Sequence, residues 1–299
     1  MADRPPSCHS GQRALMWHMA RPPRLEIAGA VYLIGAHCPF EGGPPAFVDE
    51  LDRAEMLALF AQALRRFHAQ ALAYCLLPDH YHLLLFTRRA NLSQLMRHVN
   101  GVYTQYHQRR HGGRGALFRG RFHAVLVDRE RHLLDACRYV DLGPVRQGLA
   151  RGAAGWPGSS FRALAAMEAG PEWLDVDGLH THMLGRPAAT PAQHRLAGER
   201  YARLVAAEPG LQLWPGRLRE QIFLGDADFA ARMRAAAAAP RRVSRGGFAE
   251  WLRRAGGIRE QALWLAHTEG GIAMTALAGQ VGLSVSRVSR LIAAAERAH

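Results

Sequence analysis

Two histidines separated by one residue offer the first candidate for metal chemistry. His80 and His82 follow the turn residues Pro78-Asp79, which divide two apolar runs at 73–77 and 81–86. Both runs have the length and composition of buried strands. Alternate residues of a strand face the same way, so the two imidazoles would project side by side, with Cα atoms about 7 Å apart. This spacing suits two nitrogens on one metal ion; the alternative is two polar residues on a solvated strand face.

A tyrosine further along the chain is a candidate nucleophile. Tyr139 lies within Arg138-Tyr139-Val140, on a predicted helix. A phenol oxygen can attack an electrophile when a metal or a base stabilises its developing charge. The alternative is a tyrosine that lines the core with its hydroxyl at the surface. Tyr139 is therefore a catalytic candidate only in combination with the histidine pair.

A cluster of arginine and aromatic side chains predicts a nucleic-acid surface. Guanidinium groups fork to phosphates, and aromatic faces stack on bases. The alternative is a solvated helix end followed by a loop. The predicted DNA-contacting residues are Arg109, Arg110, Arg114, Arg119, Arg121, Tyr103 and Phe118.

Composition supports a nucleic-acid partner and excludes several classes of protein. The 299 residues carry a formal charge of +13, and all 38 basic side chains are arginine. A field of this sign attracts phosphate. The four cysteines form no CxxC, which favours reduced thiols over a zinc site or a disulfide framework. We expect no membrane span or signal peptide, and Met16 and Met19 are alternative starts.

The order of predicted elements is β-α-β-β-α-β-α, which favours an α+β fold. We expect a ferredoxin-like antiparallel sheet with helices on one face, followed by an all-α C-terminal region. Besides the two central strands, the periodicity predicts strands within 25–36 and 122–127 and helices over 49–70, 91–110 and 128–142. Gly143-Pro144 is expected to end the third helix.

The carboxy-terminal stretch 274–294 predicts a helix-turn-helix. Ala278 would pack between the helices, Gly282 would make the turn, and Val288 would anchor the second helix. Arg287 and Arg290 would then face a DNA groove. The alternative is an ordinary helical hairpin.

Read together, these segments resemble the REP-associated tyrosine transposases, a branch of the single-tyrosine HUH transposases. The resemblance covers roughly residues 19–165, and the ordered set of motifs is far more specific than any one of them. The matching runs are ARPPRLEIAGAVY (20–32), AYCLLPDHYHLLL (73–85), the segment 91–128, RYVDLGPVRQGL (138–149) and WPGSS (156–160).

The resemblance implies a mechanism for the candidate residues. His80 and His82 match the pair that binds Mg²⁺ or Mn²⁺, and Tyr139 matches the nucleophile. The family's tyrosine attacks a phosphate of single-stranded DNA at hairpin-forming repeats, forms a 5′-phosphotyrosine link and releases a 3′-OH. The implied function is a metal-dependent single-stranded DNA endonuclease and strand transferase.

The chain departs from the family pattern at several positions. Gly143 stands where the family commonly carries a liganding Asn, and Asp79 stands where Asn is usual. A customary His and Arg of the first strand are displaced. Asp135, four residues before Tyr139 on the same helix face, is a further candidate metal ligand. The alternative function is therefore a catalytically impaired, domesticated transposase that binds DNA hairpins or regulates transcription.

These expectations define the domains and partners. We expect a basic arm at 1–23, the HUH domain at 24–165, a helical linker region at 166–245 and the helix-turn-helix domain at 246–299. The partners would be hairpin DNA and, through the terminal helices, duplex DNA, with a monomer or homodimer acting in the cytoplasm at the nucleoid. A metal hydrolase of small substrates would leave the arginine and aromatic cluster unexplained.

Overall fold

The protein is built around a mixed six-stranded sheet. The computed structural model describes residues 25–38, 45–118, 120, 122–208, 211, 218–238 and 247–297. The predicted basic arm at 1–23 and the alternative start residues lie outside these ranges. The strands are β1 (Ala30–His37), β2 (Ala69–Leu77), β3 (His80–Thr87), β4 (His123–Val127), β5 (Leu218–Arg219) and β6 (Phe223–Leu224), in the order β2-β3-β1-β4-β6-β5.

The four longer strands have the ferredoxin-like arrangement predicted from the sequence. β1 pairs antiparallel with β3 on one side and β4 on the other, and β2 pairs antiparallel with β3. Strands β1, β2 and β3 are apolar over most of their length because both faces of the sheet are covered. The predicted α+β fold with a helical carboxy-terminal region is confirmed.

Helices cover both faces of the sheet, whereas the prediction placed them on one. On one face, the Tyr81 ring packs edge-on against Phe60, and its hydroxyl donates to the Asn100 amide oxygen at 2.6 Å. On the other face, His82 contacts Tyr139. The helices are α1 (Glu50–Arg66), α2 (Leu92–His111), α3 (Arg129–Asp141), α4 (Gly143–Arg146), α5 (Phe161–Leu164), α6 (Val176–Leu184), α7 (Pro191–Ala206), α8 (Ala227–Ala238), α9 (Phe248–Arg254), α10 (Arg259–Thr268), α11 (Met274–Val281) and α12 (Val285–Arg297).

Local capping explains where the helices of the sheet domain begin. The Asp49 side chain accepts hydrogen bonds from the amides of Leu51 and Asp52 at the start of α1. Asp128 caps α3 in the predicted way, accepting from the Glu130 amide at 3.1 Å. Helix α1 ends at Arg66, not near 70 as predicted, because His68 has a φ of 53° and turns the chain into β2.

The region 166–245 was predicted to be a linker, but its described part completes the sheet domain. β6 pairs in parallel with β4 and antiparallel with β5, so the sheet is mixed. Tyr201 on α7 and Phe229 on α8 are buried in the same hydrophobic core as the central strands. Two-residue strands have no measurable periodicity, which is why the sequence did not predict them.

The carboxy-terminal helices form a second hydrophobic core around Trp251. Helix α11 ends at Val281, its C-cap Gly282 has a φ of 66° that favours glycine, and α12 begins after the three residues 282–284. Ala278 and Val288 are buried between the helices, as predicted. The unit contacts the sheet domain through Arg89, which lies 3.4 Å from Glu269 and donates to the Thr268 carbonyl at 3.0 Å. Across the described ranges, no helix is both long enough and apolar enough to cross a bilayer.

Candidate active site

His80 and His82 lie on the same face of β3, and their ring centroids are 5.1 Å apart. His80 is 3% exposed and His82 is half-buried. The Nδ1 atom of His80 lies 2.6 Å from the Asp79 carboxylate. A carboxylate at this position accepts a hydrogen bond from Nδ1–H, which leaves the Nε2 lone pair available to a ligand. The turn residue Asp79 therefore orients the first histidine.

Burial keeps the second histidine neutral. It lowers the pKa of His82 well below its usual value, and repulsion from His80 and Arg146 acts in the same direction. A neutral imidazole is the form that binds metal. The two rings therefore offer lone pairs from one rigid strand.

A third imidazole, His37, shares this face. His37 is the cross-strand partner of His80, and the two rings stack with centroids 4.5 Å apart. The His37 ring also lies 6.4 Å from that of His82. Gly35 on β1 is the cross-strand partner of His82 and has no side chain. A Cβ at this position would lie 3.6 Å from His82 Nδ1 and 3.8 Å from His37 Nε2. His37 was not predicted as a site residue from the sequence, because its proximity to the other two histidines depends on strand register.

Tyr139 on α3 lies over this histidine face. Its ring centroid is 5.4 Å from that of His82, and the residue is 8% exposed. The predicted nucleophile and the predicted metal pair therefore meet, although they belong to different elements on opposite sides of the α3–sheet interface.

Arg146, on α4, covers the tyrosine ring. Its guanidinium carbon lies 3.8 Å from the ring centroid of Tyr139. Burial lowers the pKa of Arg146, while contacts with Tyr139 and Cys75, including a hydrogen bond with the tyrosine side chain, oppose that shift. Its Nη1 atom is buried and has no hydrogen-bond partner among the described residues. A buried cationic donor of this kind is suited to an anionic substrate.

Helix α3 ends at Asp141 with Leu142 as its C-cap, which confirms the predicted end before Gly143-Pro144, and a separate short helix, α4, begins at Gly143. Proline fits the first turn of a helix, where its missing N–H is not needed, so α4 follows α3 after one residue. This continuation brings Arg146 and Gln147 back to the histidine face, and the Gln147 amide nitrogen lies 3.2 Å from His80 Nε2. Arg146 and Gln147 follow Tyr139 by seven and eight residues, a helical spacing from which their position on the same face could have been predicted.

Asp135, the further candidate ligand, contacts side chains of its own helix. Its carboxylate lies 3.5 Å from His132 Nδ1 and 3.6 Å from Arg138 Nη1. No group of three or more His, Cys, Asp or Glu side chains in the described ranges is arranged to hold a metal ion. The site therefore provides two oriented imidazoles and a neighbouring amide.

Three residues assigned to DNA binding have structural roles instead. Tyr103 is fully buried, and its hydroxyl donates to the Ala46 carbonyl at 2.7 Å. Phe118 is also buried and packs against Tyr103, so neither ring is available for stacking on a base. Arg110 forms ion pairs with the carboxylates of Asp49 and Asp52 and ties α2 to the start of α1.

The other predicted DNA contacts fall into two groups. Arg109 and Arg114 are exposed at the end of α2, and Arg287 and Arg290 are exposed on α12. These four remain available to phosphates. Arg119 and Arg121 lie outside the described residues.

Comparisons with known proteins agree with this arrangement. Residues 45–142, about a third of the chain, match the family model described as "Transposase IS200 like". This segment contains β2, β3, β4 and the helix that carries Tyr139, and it is similar to the IS200-like transposases.

One solved structure is similar over a larger part of the chain. It is a REP-associated tyrosine transposase bound to a REP hairpin, with 17% sequence identity and a TM-score of 0.44, and the alignment covers 51% of this chain and 89% of that one. No curated protein sequence gives a match.

Proposed function

We propose that this protein is a metal-dependent single-stranded DNA endonuclease and strand transferase in which Tyr139 forms a 5′-phosphotyrosine intermediate. The observation that carries the proposal is the position of the Tyr139 ring, 5.4 Å from that of His82, whose own ring lies 5.1 Å from that of His80 on the same sheet face. A core tyrosine has no need of two oriented imidazoles. A phosphoryl-transfer nucleophile does, because charge neutralisation dominates that chemistry.

The donors fit a divalent cation such as Mg²⁺ or Mn²⁺. Asp79 fixes His80 with its Nε2 lone pair outward, and burial keeps His82 neutral. When bound, the ion would polarise the scissile phosphate. His80 and His82 would hold it, with oxygen ligands from an amide and from water.

The side chains of the site then perform an in-line displacement. The Tyr139 oxygen forms a bond to phosphorus as the bond to the 3′ oxygen breaks. The phenol proton is lost to solvent, and the released 3′ oxygen takes one up. The unpartnered Nη1 of Arg146 would bind a non-bridging phosphate oxygen and stabilise its charge. Attack by another 3′-OH on the phosphotyrosine restores Tyr139 and joins the strands.

DNA would be held by two surfaces. Arg109 and Arg114 at the end of α2 would contact the backbone of a hairpin beside the cut, a target that follows from the sequence resemblance. Arg287 and Arg290 on α12 would contact duplex DNA; the short turn at Gly282 between α11 and α12 and the exposure of both arginines support this part of the proposal.

A gel assay for a covalent protein–DNA adduct tests the proposal. The substrate is single-stranded DNA carrying the hairpin repeats that flank the gene, with Mg²⁺ or Mn²⁺. We expect an adduct with wild type, none with Tyr139→Phe or His82→Ala, and a wild-type level with Tyr106→Phe, a matched half-buried tyrosine on α2. Full cleavage by Tyr139→Phe would overturn the assignment.

A second candidate function is a hairpin-binding or transcriptional regulator without cleavage. It is favoured by the Arg146 guanidinium, which covers the Tyr139 ring at 3.8 Å, and by Gly143 at the position of a usual ligand. Under this alternative, wild type, Tyr139→Phe and His82→Ala would all shift a hairpin, and none would form an adduct with either metal.

A further inference from the structure

Gln147 lies on the same helical path as the nucleophile. The Leu142 amide donates to the Arg138 carbonyl, the Arg146 amide to Leu142, and the Gln147 amide to Gly143, so helical geometry continues past α3. Tyr139, Gly143 and Gln147 therefore follow one another at four-residue spacing on one side of the path. Tyr139 contacts His82, and Gln147 contacts His80.

A side chain at position 143 would lie close against strand β2. A Cβ at this position would lie 3.1 Å from Leu77 Cδ1 and 3.6 Å from Cys75 Sγ, both on β2. The glycine lets the path approach the sheet closely. The amide that the family places here must therefore come from elsewhere if it is to reach the histidines.

The Gln147 amide occupies the open side of His80. Its nitrogen lies 3.2 Å from His80 Nε2, while Nδ1 of the same ring lies 2.6 Å from Asp79. With Nδ1–H donating to the Asp79 carboxylate, Nε2 accepts a hydrogen bond from the Gln147 amide. This is the lone pair that a metal would use. A half-turn of the terminal amide exchanges its nitrogen for its oxygen.

We propose that Gln147 is the third protein ligand of the divalent ion, through its amide oxygen, and replaces the ligand lost at Gly143. The inference rests on the proposed function. The described His, Cys, Asp and Glu side chains supply no group of three arranged for a metal, so a third protein ligand would be of another type. Mg²⁺ and Mn²⁺ prefer oxygen ligands, and an amide oxygen is one. Asp135, the other candidate ligand, lies 3.5 Å from His132 Nδ1 and 3.6 Å from Arg138 Nη1 on its own helix.

Manganese binding tests this assignment without depending on activity. Free Mn²⁺ is measured by its solution EPR signal during titration of the full chain. We expect Gln147→Ala to weaken binding about tenfold, a typical effect for a residue at a metal site. Gln147→Glu should bind at least as tightly as wild type because it keeps an oxygen donor. Gln280→Ala, an exposed glutamine on α11, should match wild type.

The outcomes separate this inference from the proposed function. Equal binding by wild type and Gln147→Ala, with binding lost in His82→Ala, would overturn the role of Gln147 and leave the histidine site standing. Equal binding by wild type and His82→Ala would overturn both. Weak binding by both Gln147→Ala and Gln147→Glu, with lowered thermal stability in each, would assign Gln147 a structural role only.

Discussion

The carboxyl group of Asp141 should make the stability of the sheet domain depend on pH, and asparagine at this position should remove that dependence. Asp141 is fully buried at the end of α3. Its two oxygens accept hydrogen bonds from the Ser160 hydroxyl at 2.8 Å and the Tyr201 hydroxyl at 2.6 Å. Burial raises the pKa of Asp141 to about 7, although these hydrogen bonds oppose the shift.

The sign of the effect follows from proton binding in the two states. In the unfolded chain, an Asp carboxyl has a pKa of about 3.9. Between that value and pH 7, the folded state binds more protons than the unfolded state, so stability falls as pH rises. Below about pH 4 the carboxyl group is protonated in both states and costs the folded state no stability; above about pH 7 the cost of its buried charge is constant. The difference between the folded and unfolded pKa values corresponds to a cost of about 4 kcal/mol, of which about 2.5 kcal/mol develops between pH 5 and pH 8.

Urea denaturation of wild type and Asp141→Asn at pH 5 and pH 8 measures this difference. Asparagine keeps an acceptor for one hydroxyl, and the other hydroxyl can rotate to accept from the amide nitrogen. We expect the stability of the variant relative to wild type to rise by about 2.5 kcal/mol between the two pH values. Parallel pH profiles for the two proteins would refute the reasoning, because the carboxyl would then titrate alike in both states.

Three other perturbations test the assignments of individual residues. Tyr103→Phe removes a buried hydrogen bond to the Ala46 carbonyl, so urea denaturation should show a free energy of unfolding lower by about 1 kcal/mol, with unchanged hairpin affinity in filter binding. Weaker DNA binding at unchanged stability would instead place Tyr103 in the DNA interface. Arg146→Met keeps the apolar stem of the side chain but removes the cation beside Tyr139, so the rate of covalent adduct formation should fall by about tenfold or more. A faster rate in the variant would mean that the arginine only blocks the nucleophile. Replacing both Arg287 and Arg290 with Ala should weaken duplex binding and reduce the slope of log binding constant against log salt concentration by about 2, with adduct formation unchanged. An unaltered slope would place the duplex-binding surface elsewhere.

The sequence predicted the parts of the site that depend on local periodicity. The two-residue period of a strand was sufficient to put His80 and His82 on one face, and the structure has them there. The turn at Gly282 and the buried Ala278 were likewise readable from spacing and residue size. These features need only a few neighbouring residues to determine them.

The contacts that the sequence did not predict depend on long-range geometry. His37 joins the site through the register of β1 against β3, and Gln147 through a helical path that continues past a Gly-Pro pair. Neither can be derived from composition.

Tyr103 and Arg110 show a different kind of error. The arginines around Tyr103 suggested an interface, yet it also lies on the apolar stripe of α2 and is buried. Arg110 is neutralised by carboxylates at the start of α1, which is distant in sequence. Burial raises the pKa of Asp52, but hydrogen bonds from His111, the Val48 amide and Arg110 lower it overall. The Asp52 carboxylate therefore favours its charged form, in which it pairs with Arg110 and joins α1 to α2.

Mass spectrometric mapping of the trapped adduct tests the central claim most directly. Trypsin cleavage at the flanking arginines places Tyr139 in a peptide within residues 132–146, which contains no other tyrosine. The account predicts that the nucleotide mass is found on this peptide, at Tyr139, and depends on Mg²⁺ or Mn²⁺. A nucleotide on any other tyrosine, or cleaved DNA with no modified peptide, would contradict it.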